Sequence, residues 1–175
     1  VFVTGAVVMI FELVGSRIIG PYVGTSTYAW TSLIGVILAS LSAGYYFGGR
    51  LADKRPDVKP LFYIILLSAL GIAYCAFLKD IISLAISLIS VPIEIKSILI
   101  TLVLFAPASF LLGMVSPYAV RLKMIEVEKA GRTVGNLYAI STAGSIAGTF
   151  LAGFYIIPNV GSTNTLYILS AVLVV

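Results

Sequence analysis

Hydrophobic residues along this chain fall into long unbroken runs, not into the alternations or one-faced stripes of a water-soluble domain. Residues 1–19 are apolar except for Glu12 and Arg17, and Gly20-Pro21 closes the run. Residues 27–47 carry no charge and open with Tyr28 and Trp30, aromatic types that settle at a membrane–water boundary. Residues 61–78 form a third run, closed by Lys79-Asp80. A fourth, 97–115, holds Pro107 and ends at Ser116-Pro117; a fifth, 134–157, ends at Pro158; a sixth begins at 163 and reaches 175. Runs of about 18 apolar residues match the thickness of a bilayer. The pattern predicts an all-α integral membrane protein, a six-transmembrane-helix bundle forming a single domain over residues 1–175. Pro107 removes one backbone hydrogen bond and predicts a kink.

One apolar stretch, 81–91, is too short to cross. Ser83, Ser87 and Ser90 share a helical face within it, which predicts a short interfacial helix, with a re-entrant turn as the alternative.

Composition sharpens this picture. The chain is 60% hydrophobic and 10% charged, with a mean hydropathy of +1.12, where soluble domains carry about 25% charged residues. Histidine is absent, which removes the commonest general base and metal ligand together. The single Cys75 lies in an apolar run; it reads as a packing residue and cannot form an internal disulfide. The first run, with Glu12 and Arg17 and no small-residue cleavage site, does not read as a signal peptide. The last run breaks off at Val175, so the expectation is a segment of a longer protein.

Charge placement predicts orientation. One inter-run loop holds Arg50, Lys54, Arg55 and Lys59, and another holds Arg121, Lys123, Lys129 and Arg132. The loops on the other side hold only Lys79 and Lys96. Basic loops stay inside, so both termini are expected in the cytoplasm, with the protein in the plasma or inner membrane. This asymmetry accounts for the net charge of +4 without a nucleic-acid partner. The lipid bilayer is the expected partner; a homodimer and a cytoplasmic domain after residue 175 are possible additions.

Few residues offer chemistry. Glu12 is a carboxylate inside a membrane run, costing about 2.5–3.5 kcal/mol on insertion scales, and such groups face a bundle interior or cavity. It can pair structurally or bind a cation or proton; Ser16 is its same-face neighbour, whereas Arg17 is not stacked with it. Arg17 snorkels to the boundary or contacts substrate. Gly49, Asp53 and Lys54 form a compact loop signal in which Asp53 can cap a helix or latch onto a basic residue, with Arg121 the candidate partner. Gly144 and Gly148 make a G-x-x-x-G stripe beside Ala139, Ala143 and Ala147, and Gly44 and Gly48 repeat it, as expected for close helix packing. No catalytic constellation, metal cluster or cofactor motif is legible, so no catalytic residue, metal or cofactor is expected in this segment.

Three passages together carry a family resemblance: Phe11-Glu12 through Arg17; Trp30 through Gly44 leading into Gly49-Arg50-Leu51-Ala52-Asp53-Lys54; and Gly135-Asn136-Leu137-Tyr138-Ala139-Ile140 through Gly144-Ser145 to Gly153-Phe154. The chain resembles the membrane domain of fused transporter/spermidine-synthase-like proteins. That resemblance implies a bundle like half of a major facilitator, anchoring a cytoplasmic aminopropyltransferase-like domain and binding or passing a polyamine-like cation. Gly49, Leu51, Asp53 and Lys54 match the first half of the facilitator loop between the second and third helices. The second half departs, with Pro56 in place of a glycine and Asp57 in place of a basic residue. A dimeric half-size transporter and a purely structural anchor are the alternative readings.

Overall fold

The computed structural model describes residues 1–124 and 130–174; the loop cation Lys129 and the terminal Val175 lie outside them. The described residues are helical, with no strand among them: α1 (Phe2–Val23), α2 (Thr27–Lys54), α3 (Val58–Ser87), α4 (Ile93–Leu104), α5 (Ala106–Lys123), α6 (Ala130–Leu151), a π-helical turn (Ala152–Ile156), α7 (Ile157–Val160) and α8 (Ser162–Val174). Four helices are long and apolar enough to cross a membrane, or five if the bent pair α4–α5 is one span. This is compatible with an integral membrane protein. The predicted sixth run is a shorter apolar helix, α8, of 13 residues.

Helix ends differ from the expected punctuation for identifiable reasons. Pro21 lies within the last turn of α1, which continues to Val23 and stops where Gly24 takes φ 76°. Likewise the fifth span passes Pro158 and stops at Gly161, with φ 81°. Glycine reaches positive φ without a steric penalty, so it ends these helices more firmly than proline does. The five-residue π turn stands immediately before Ile157-Pro158. Proline cannot donate to the preceding turn and its ring crowds a carbonyl there, which the wider turn relieves. The kink expected at Pro107 is a sharper break: α4 and α5 meet at Phe105 at an angle of 55°.

The interfacial helix expected over 81–91 is not a separate element; its first part belongs to α3, which runs through Ser87. Lys79 and Asp80 do not end that helix because they neutralise each other at 2.6 Å, and Asp80 also accepts a hydrogen bond from the Tyr22 hydroxyl at 3.2 Å. Ser83 is fully buried, and the Lys96 ammonium donates to the Ser87 carbonyl at 2.7 Å, tying the end of α3 to α4.

The core runs along the bundle axis, with Val14, Ile19, Leu33, Ile72, Leu104, Phe105 and Leu166 fully buried. The Phe11 and Phe105 rings lie 4.9 Å apart, so the α4–α5 break is packed against α1. Outward faces carry Leu38, Phe62, Leu70, Phe77, Phe150 and Phe154, all more than half exposed. Such a surface is an aggregation liability in water and an ordinary one against lipid.

Candidate functional site

Two parallel helix pairs frame the interior, and both are closed by glycines. In the α2–α5 seam, a Cβ on Gly48 would stand 2.6 Å from the Met114 Cα, and one on Gly113 would stand 2.6 Å from the Leu41 carbonyl oxygen. In the α1–α6 seam, a Cβ on Gly148 would stand 2.7 Å from the Ala6 Cα, while Gly144 abuts the Phe2 backbone and Gly5 the Ser141 backbone. Real Cβ contacts do not come this close, so these positions admit only glycine. The small-residue stripes expected at Gly44/Gly48 and Gly144/Gly148 are therefore packing seams inside the bundle.

The register of the two seams is the same. Leu41, Gly44 and Gly48 meet Phe110, Gly113 and Met114 as Ser141, Gly144 and Gly148 meet Phe2, Gly5 and Ala6. Where the seams come together, Thr4, Gly5 and Val8 of α1, Leu41 and Tyr45 of α2, Leu112 and Ser116 of α5, and Ser141 and Ser145 of α6 enclose a cleft of about 70 Å³. Ser145 donates across the α1–α6 seam to the Gly5 carbonyl at 3.2 Å.

Asp53 and Arg121, the candidate latch residues, lie in contact. The Arg121 Nε donates to Asp53 Oδ1 at 3.1 Å, joining the end of α2 to the end of α5. Both side chains are largely exposed, at 43% and 73%, which places the pair in the weak class of surface ion pairs. Gly49 packs loosely, its nearest outside neighbour being Pro117 at 3.9 Å from a built Cβ, so it is not part of the close seam. Asp53 forms no ion pair with its neighbour Lys54. A stronger tie was not legible in the sequence: the buried Tyr118 hydroxyl donates to the Arg55 carbonyl, pinning the start of the α2–α3 loop to α5.

Glu12 and Arg17 stand apart. Glu12 forms no ion pair or hydrogen bond among the described residues, and Arg17 is exposed. Ser16, its expected same-face neighbour, donates to the Leu13 carbonyl at 2.8 Å instead. Glu12 is partly buried and stands near the middle of the 22-residue α1, about 15 Å along a rod of roughly 33 Å. On α1 it shares a stripe with Gly5, Val8 and Ser16. Two turns beyond the Gly5–Ser145 contact, that stripe brings Glu12 level with the start of the π turn at Ala152-Gly153. Beyond it, Leu13, Ser16, Arg17, Trp30, Gly153, Ile157 and Pro158 line a second cavity of about 350 Å³. The α1–α6 side therefore carries a discontinuous polar track: Thr4, Ser141 and Ser145 at the cleft, Glu12 midway, Ser16 and Arg17 at the far cavity. A π turn beside such a track is a frequent mark of functional sites. No group of three or more metal-ligating side chains occurs among the described residues.

Comparison with protein-family models, curated proteins and solved structures finds no match for this chain.

Proposed function

We propose that this chain is a membrane-embedded, facilitator-like half-bundle that binds a cationic solute through Glu12. The placement of that carboxylate supports the reading: partly buried, mid-helix, without a partner among the described residues, and between two cavities bearing hydroxyl groups. A charge in that position is costly, and a bound cation that neutralises it offsets that cost.

The pairing of helices supports the half-carrier part of the proposal. Taking α4–α5 and α6–α7 each as one span and α8 as a sixth, the first packs on the fifth and the sixth, the second on the fourth, and the third on the fourth and the sixth. Exchanging the first three spans with the last three maps this set onto itself, which is the organisation of inverted-repeat transporters. The resemblance to membrane domains of spermidine-synthase-like proteins extends the proposal to a polyamine as the cation and to a cytoplasmic aminopropyltransferase-like domain fused to the bundle. The basic end, with Arg50, Lys54, Arg55, Lys59 and Arg121, would then face that domain.

The test is spermidine binding to the purified chain and to Glu12→Gln. Losing a charge-assisted contact should weaken affinity roughly ten- to a hundredfold with the melting temperature unchanged. No binding by the wild type, or unchanged affinity in a destabilised variant, would leave Glu12 a structural residue.

A further inference from the structure

A third cavity, wider than the two beside the polar track, lies at the basic end, between the last turn of α2 and the first turns of α3. It measures about 690 Å³ and is bounded by Leu51, Arg55, Pro56, Asp57, Lys59, Pro60, Tyr63, Ile64 and Leu67. Its two ends differ in chemistry. At the loop end, Arg55 and Lys59 are exposed and have no carboxylate partner within ion-pair range among the described residues. Along the helix, Tyr63, Ile64 and Leu67 form an apolar wall, and beyond it the outward face of α3 continues through Leu70, Tyr74 and Phe77.

The loop end is held in place. Tyr118 fixes the Arg55 carbonyl, and the Asp57 carboxylate caps α3 by accepting from the Val58 amide at 2.6 Å. That hydrogen bond turns the one carboxylate in the cavity onto the α3 amides, and two cations, Arg55 and Lys59, outnumber it at the mouth. The cavity therefore spans the passage from a cationic loop to an apolar, outward-facing helix within two turns.

From this arrangement we infer that the cavity is a binding site for an anionic phospholipid. The phosphate sits between the Arg55 guanidinium and the Lys59 ammonium, and one acyl chain lies along Tyr63, Ile64 and Leu67. A planar guanidinium and a mobile ammonium suit a phosphate oxygen set, and cations at this depth attract anionic headgroups. A soluble phosphate would use the two cations but leave the apolar wall uncovered. A zwitterionic phosphatidylcholine would cover the wall but bring its own cation to a cationic rim. The inference is independent of any role for Glu12.

The experiment is thermal unfolding of the purified chain in detergent, titrated with phosphatidylglycerol, phosphatidylcholine or glycerol phosphate. Phosphatidylglycerol should raise the melting temperature well above the other two. In Arg55→Gln/Lys59→Gln its apparent affinity should fall roughly fivefold for each cation removed. Arg50→Gln, whose guanidinium sits 4.3 Å over the Tyr46 ring outside the cavity, should keep the wild-type preference. Should the double variant fail to fold, Lys59→Gln alone reads the same preference. Equal stabilisation by the two lipids, or a preference surviving in the charge-removed variants, would overturn the inference. So would an equal effect from glycerol phosphate, which would assign the cations to a soluble anion.

Discussion

The α1–α6 and α2–α5 seams share one packing register and differ in what stands at their ends. Glycines hold both at backbone contact, on equivalent turns. The positions that carry Asp53 and Arg121 in one seam are occupied by Gly153 and Leu13 in the other. One seam therefore closes on an ion pair, whereas the other opens into the cavity shared by Leu13, Gly153 and Arg17. The π turn falls on the open seam alone. Close packing tolerates almost no variation, since one added carbon meets backbone; the ends of the seams are under no such constraint and can diverge in chemistry. Glu12 lies toward the open end, the Arg121–Asp53 latch at the closed one.

The largest expected effect tests whether the seams are equivalent. Gly44→Leu and Gly144→Leu each drive a side chain into facing backbone and should each cost about 3 kcal/mol, the upper end for overpacking. Gly35→Ala and Gly135→Ala, where a Cβ meets nothing within 4 Å, are the controls and should stay within about 0.5 kcal/mol. Thermal unfolding in detergent reads all four; tolerance at Gly144 with collapse at Gly44 would break the equivalence.

A smaller effect separates the closed end from the open one. Tyr118→Phe removes the hydroxyl that holds the Arg55 carbonyl and should cost about 1 kcal/mol. Hydrogen exchange should then quicken in the α2–α3 loop and not around Gly153. Equal change at both ends would mean that the seams are coupled along their length.

Smallest is the latch itself. Asp53→Asn should cost between about 0.2 and 1 kcal/mol and lose its effect in high salt, as an exposed pair does. A loss well above that range would show that the latch is stronger than its exposure implies.

Much of the architecture was legible beforehand. Apolar runs of membrane length, the Pro107 break, the glycine stripes and the Asp53–Arg121 pairing each follow from local patterns or from one short motif. The interfacial helix over 81–91 was misread because Lys79-Asp80 looks like a helix end. In the fold that pair neutralises itself and meets Tyr22 from α1, so α3 continues. Tyr118 was invisible for a similar reason: its partner is a backbone carbonyl from a distant loop, and carbonyls leave no mark in a sequence.

What the sequence determined by itself is the solvent and the rods: hydropathy selects a membrane-like surroundings, and an apolar medium forces the backbone to satisfy itself as helix. The glycine spacing also declared that helices touch. It could not say which helices, because a stripe of small residues fits any complementary partner. Only the tertiary structure decided that α1 takes α6 and α2 takes α5, and that Glu12 is left without a partner among the described residues. Those outcomes depend on contacts between residues far apart in the chain, and such contacts are set by the whole bundle packing at once.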